Sequence, residues 1–202
     1  MKKIILSTVI MLASVGAYAQ YSVGSISLQP KVGVNIANIT DADGPDSRIG
    51  LATGLEAEFQ VTDIFSLSLG AIYSQQGAKT GISTDDIDGT LTFKLDYINV
   101  PILANVYVAK GLAVKLGIQP GFNVASKAEY KQTIGGITNK VSGDVKGLNS
   151  VDVSIPVGFS YEYANILFDA RYNWGLTKFI DDSDSNSKNS VLQITLGYKF
   201  KL

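Results

Sequence analysis

The residues best suited to chemistry in this sequence are carboxylates. Glu56 and Glu58, and Glu162 with Asp169, fall on the polar face of segments that alternate between apolar and polar residues. Paired carboxylates can act as general acid and base, the arrangement by which glycosidic bonds are hydrolysed. In a narrow interior they can instead neutralise cations on the same face, here Lys31, Lys115, Arg171 and Lys199, and fill the space with ion pairs. The second reading is the one we adopt: a lumen charge network of Glu56, Glu58, Lys115, Glu162, Asp169 and Arg171, with no catalytic residue and no enzyme activity expected. The 202 residues include neither histidine nor cysteine. Serine–histidine triads, thiol nucleophiles, disulfides and thiolate metal sites are therefore excluded. Two acidic clusters, Asp85-Asp86-Ile87-Asp88-Gly89 and Asp181-Asp182-Ser183-Asp184, offer the oxygen ligands calcium takes but lack EF-hand spacing, and read as solvated loop tips. Gly135-Gly136 follows no phosphate-binding pattern. No cofactor and no metal is expected.

The elements that must position these side chains are strands of period two. In the first, Leu28, Val32, Val34 and Ile36 oppose Gln29, Lys31, Gly33 and Asn35; in the second, Ile49, Leu51, Leu55, Ala57, Phe59 and Val61 oppose Gly50, Gly54, Glu56, Glu58 and Gln60. The third sets Phe65, Leu67, Leu69, Ala71 and Tyr73 against Ser66, Ser68, Gly70 and Ser74. The fourth aligns Ile98, Val100, Ile102, Ala104, Val106 and Val108, after an apolar set at Leu91, Phe93, Leu95 and Tyr97 whose phase differs by one, so a β-bulge is expected near Asp96. The fifth runs from Leu112 to Asn123, the sixth from Val151 to Tyr163, the seventh from Ile166 to Trp174 and the eighth from Leu192 to Leu202, each with the same alternation.

Connections alternate in length. Thr62-Asp63-Ile64, Ala109-Lys110-Gly111 and Ala164-Asn165 are short, whereas Asn38 to Arg48, Gly77 to Thr90, Ala125 to Ser150 and Ile180 to Ser190 read as long polar loops. Short turns on one side and long loops on the other are the signature of outer-membrane barrels. At the N-terminus Lys2 and Lys3 precede the apolar run Ile4 to Val15, and Ala17-Tyr18-Ala19 precedes Gln20, which together predict an export signal over residues 1–19 cleaved between Ala19 and Gln20. Lys2 and Lys3 leave with that segment from the 17 basic residues, all 18 acidic ones stay, and the mature chain carries a formal charge of −3. That charge does not suit a nucleic-acid partner.

Alternation alone does not distinguish a membrane barrel from a soluble one with its apolar side turned inward. The polar face decides, because Gly50, Gly54, Gly70, Gly117, Gly121, Gly158 and Gly197 suit a narrow lumen better than a wet outer surface. The aromatics decide too: Phe59, Phe65, Tyr73, Phe122, Tyr161, Tyr163, Tyr172, Trp174 and Tyr198 lie mostly near strand ends, as headgroup-level girdles do, with Tyr107 the exception on the polar face. The expectation is an all-β, eight-stranded antiparallel up-and-down transmembrane β-barrel over residues 20–202, monomeric, in the cell outer membrane and in contact with its lipid.

The segments Leu95-Asp96-Tyr97-Ile98-Asn99-Val100-Pro101, Phe168-Asp169-Ala170-Arg171-Tyr172-Asn173-Trp174-Gly175-Leu176 and Leu196-Gly197-Tyr198-Lys199-Phe200 resemble those of the PorT-like outer-membrane β-barrel proteins of Bacteroidetes. The resemblance spans essentially the whole mature chain. It implies an eight-stranded barrel, usually without assigned activity, in a family whose best-known member is associated with protein secretion. The ending at Tyr198, Phe200 and Leu202 also looks like the signal by which the barrel-assembly machinery recognises its clients. Three roles stay open: a structural or interaction role through extracellular loops toward an extracellular or periplasmic protein, a narrow pore or uptake channel for small solutes, and a secretion-associated function.

Overall fold

The computed structural model describes residues 21–40, 46–84, 87–134, 137–145, 149–177 and 188–202. Ala19 and Gln20, the cluster Asp181 to Asp184 and the pair Asp85-Asp86 lie outside them. Among the described residues eleven strands form: β1 (Ile26–Ile39), β2 (Asp46–Thr62), β3 (Phe65–Thr84), β4 (Ile87–Asn99), β5 (Ile102–Ala109), β6 (Leu112–Ile134), β7 (Ile137–Asp144), β8 (Val151–Tyr163), β9 (Ile166–Gly175), β10 (Asn189–Tyr198) and β11 (Phe200–Lys201). All pairings are antiparallel, and β1 pairs with both β2 and β10, which closes the sheet. β4 and β5 make one wall strand in two pieces, as do β10 and β11, and β7 stands off the ring, so the closed barrel has eight strands.

The break between β4 and β5 comes from Pro101, which has no N–H to give. Pairing nevertheless carries across it, because the Pro101 carbonyl accepts from the Gly70 amide at 3.0 Å and the Val100 amide donates to Pro120 at 2.8 Å. The register of β3 on β4 and β5 is continuous through the break. The bulge expected near Asp96 lies at that level but on the neighbouring strand. β6 carries one extra residue, Val124, where its pairing passes from Asn123 opposite Tyr97 to Ala125 opposite Asp96. β4 itself does not slip, and Leu95 and Tyr97 stay inside the barrel, exposed by no more than 2%.

Two of the expected loops are instead strand. Gly77 to Thr90 is largely the β3–β4 hairpin, and much of Ala125 to Ser150 is the upper half of β6 with β7. About ten tilted residues suffice to cross the hydrocarbon layer. At 20 and 23 residues, β3 and β6 therefore extend well beyond it.

The outer surface is apolar. Val32, Val34, Leu51, Leu67, Leu69, Val114, Leu116, Val157, Leu192 and Leu196 all face outward and exposed. Tyr73, Phe122 and Trp174 stand at the upper limit of this band, and Phe59, Tyr161, Tyr163, Tyr198 and Phe200 at the lower, beside the short turns. Inside, polar residues dominate the buried set, an inversion that only a lipid solvent makes favourable.

Candidate functional site

The lumen is crossed at mid-height by a layer of charge. Arg171 on β9 holds Glu56 on β2 through both terminal guanidinium nitrogens, Nη1 to Oε1 at 2.8 Å and Nη2 to Oε2 at 3.2 Å, the forked geometry that suits a carboxylate. Lys115 on β6 donates to Asp169 at 2.6 Å, and Lys31 on β1 donates both to Asp169 at 3.1 Å and to Glu56. Arg171 Nε also lies 2.8 Å from Asp169 Oδ1, off the line of a hydrogen bond, so that contact is purely electrostatic.

A second group lies toward the short turns. Lys199 Nζ is 3.1 Å from Glu58 and 3.3 Å from Glu162. Glu58 further accepts from Gln29 at 2.5 Å, from Ser66 at 2.7 Å and from Tyr107, and Glu162 accepts from the Tyr21 hydroxyl at 2.6 Å. Tyr21 precedes β1; its burial and the Glu162 carboxylate push its phenol above the usual range.

The two groups balance together: Lys31, Lys115, Arg171 and Lys199 face Glu56, Glu58, Glu162 and Asp169. The glycines on neighbouring strands make room for them. Glu56 is paired with Gly70, Lys31 with both Gly54 and Gly197, and Gly158 lies between Lys115 and Arg171. A Cβ on Gly158 would come within 2.8 Å of Arg171 Cγ, and one on Gly197 within 2.9 Å of Lys31 Cγ. Small residues are needed wherever a long one lies across the lumen.

Neither carboxylate of the mid-height layer is free for proton transfer. Glu56 and Asp169 are each 1% exposed, and every oxygen they have lies against a cation. Above the layer lies a polar cavity of about 10 Å³ lined by Gln76, Asn99, Asp152, Ser154, Asn173 and Asn189, room for a single water. Among the described residues no group of acidic side chains is placed to hold a metal ion.

Of the six residues named for the lumen network, Glu56, Lys115, Asp169 and Arg171 lie in the mid-height layer and Glu58 and Glu162 in the group toward the short turns, and together they form one charge network. Lys31 and Lys199 complete it, as their parity on the polar face implied. Tyr21, Gln29 and Ser66 are participants that alternation could not single out, because a phenol, an amide or a hydroxyl on the lumen face carries no charge to match. Tyr107 had a detectable signal: it is the aromatic out of phase with its strand, and its hydroxyl bridges Lys199 and Glu58.

A closed antiparallel barrel with a greasy exterior, aromatic girdles and a charged interior defines a transmembrane β-barrel. The family model of the outer membrane protein beta-barrel domain matches residues 18–181, and the chain belongs to that family. It is thus a protein of the outer membrane, in contact with its lipid. Solved structures it resembles include the attachment invasion locus protein Ail of Yersinia pestis, 15% identical over 89% of this chain and 100% of that one, with a TM-score of 0.47. Neisserial surface protein A is 15% identical over 87% and 97%, with a TM-score of 0.46, and OprG of Pseudomonas aeruginosa 13% over 91% and 99%, with a TM-score of 0.44. No curated protein matches the chain.

Proposed function

We propose that this protein is a closed, non-catalytic barrel whose role is structural or interactive, with the strands that rise beyond the membrane as its contact surface. The observation that carries this reading is the burial of the mid-lumen layer: Arg171, Glu56, Asp169, Lys115 and Lys31 are each at most 3% exposed, so water has no continuous path past them. The narrow-pore reading needs that path. Reconstituted into a planar bilayer, the folded protein is expected to give no conductance steps above the bare membrane. Discrete, reproducible steps would overturn the closed reading in favour of a channel.

Membership of the PorT-like group, with a place beside a protein-secretion apparatus, is the finer reading that the three resembling segments support. All three supply the lumen, Asp169 and Arg171 to the charged layer, Lys199 to the group toward the short turns, and Tyr97, Asn99 and Asn173 above them, so they speak for architecture first. Insertion by the barrel-assembly machinery is proposed from the aromatic ending at Tyr198 and Phe200. Export through cleavage after Ala19 is proposed likewise. Intact-mass measurement of protein extracted from outer membranes should find a chain that begins at Gln20, and retention of residues 1–19 would refute it.

A further inference from the structure

Above the upper aromatic girdle, β3, β4, β6 and β7 continue side by side as a four-stranded sheet. Antiparallel partners share a face, so the register sorts its side chains into rows. Lys94, Lys127 and Asp144 form the row nearest the membrane, Lys79, Thr92, Glu129 and Ser142 the next, and Thr90, Lys131 and Lys140 the one beyond. The face is the outward one, because along β4 Lys94 continues the outward series of Val100, Ile98 and Asp96. On β6 the outward residues are even-numbered up to Val124 and odd-numbered after it. The extra residue at Val124 is what turns Lys127, Glu129 and Lys131 outward, and without it they would face the axis.

Glu129 gathers this patch. Its carboxylate takes Lys94 at 2.6 Å and Lys140 at 2.8 Å, with Lys131 at 3.6 Å. Hydrogen bonds from Lys140 and Lys94 hold its carboxyl far down, at about 2. One anion thus organises three ammonium groups, each with donors left over. Lys131 and Lys140 remain about half exposed, at 53% each. Among the described side chains of this outward series, five lysines meet four carboxylates, Glu129, Asp144, Asp46, which is paired with Lys79, and Asp96 at its lower edge, which accepts from Tyr73. The excess of positive charge begins one residue pair above Tyr73 and Asp96, whose hydrogen bond of 2.7 Å marks the top of the apolar band. That is the level of lipid headgroups.

We propose that this lysine face binds the phosphate groups of phosphorylated lipid headgroups in the outer leaflet. Ammonium groups crowded round one carboxylate repel one another, and a phosphate seated among them supplies the missing anion while using their free donors. Headgroups beside the barrel are held at that height by the membrane itself, whereas a soluble polyanion would have to approach a face turned toward the bilayer. The proposal rests on the outer-membrane setting and not on whether the lumen conducts, so conductance and lipid binding are separate outcomes.

The test uses the full mature barrel refolded in neutral detergent, mixed with purified lipid A, separated by size and assayed for phosphate per protein. Wild type should retain lipid A, and Lys94→Gln/Lys131→Gln/Lys140→Gln should retain roughly fivefold less, with 1 M salt reducing wild-type binding similarly. Lipid A stripped of phosphate should be retained by neither. A shift in gel mobility on boiling verifies that each barrel is folded; if the triple variant fails it, Lys131→Gln/Lys140→Gln, at the outer end of the hairpin, takes its place. Equal retention by folded wild type and variant would overturn the proposal, as would capture of a soluble sulfated polysaccharide without capture of lipid A.

Discussion

At the scale of single residues, Arg171 is the centre of the lumen. It is 1% exposed and engages Glu56 and Asp169 at once. Truncation of one partner in a buried ion pair leaves the other charge stranded, which costs about 3–5 kcal/mol. Arg171→Ala should therefore lower the urea midpoint of unfolding, followed by loss of the boiling-dependent gel shift, far more than Asn139→Ala on the exposed β7 strand, where about 0.5 kcal/mol or less is expected. Coincident midpoints would mean the layer contributes nothing to stability. The residues of this layer could be placed from the sequence because parity alone puts Lys31, Glu56, Lys115, Asp169 and Arg171 on one side of their strands. Which cation meets which anion was not legible, since that depends on stagger between strands far apart in the chain. Buried apolar residues such as Ile72, Leu95, Leu103 and Val191 were not legible either: they occupy lumen positions where a polar residue would satisfy the same alternation.

At the scale of elements, the short turns follow their chemistry except at one point. The two residues between Tyr163 and Ile166 both have positive φ, 50° at Ala164 and 65° at Asn165, the primed turn that matches the twist of two antiparallel strands. Asparagine tolerates this conformation, but alanine carries a Cβ that crowds its own backbone. Ala164→Gly is expected to stabilise the barrel by about 0.5–1 kcal/mol, read as a rise in the same urea midpoint; a fall would show that alanine sits there without strain. The hairpins β3–β4 and β6–β7 show where pattern reading stops. Within the membrane one face meets lipid and the other the lumen, so alternation is enforced. Beyond it neither face of a strand is held against lipid tails or a packed lumen, as on β7, where Val141 is 68% exposed, and nothing there demands period two. Polar strands then look like loops. The bulge shows the same limit from another side: the phase change was visible on the fourth strand, but its cause is an extra residue on the neighbour.

At the scale of the whole molecule, eight strands, lipid on the outside and short turns at one end follow from composition and alternation, because a bilayer accepts no open sheet edge and no unpaired backbone. The ion pairs add something the wall does not contain. Lys31 lies on β1 and Asp169 on β9, on opposite sides of the closing pair β1–β10, and Glu56 with Arg171 spans the same gap one strand further out. The first and last strands are thus fastened twice, by their ladder of backbone hydrogen bonds and by charges that reach over it from within. To part that junction, as a barrel would in order to pass a hydrophobic molecule sideways into the bilayer, four buried charges would have to separate in the presence of lipid. The junction is a rivet rather than a door.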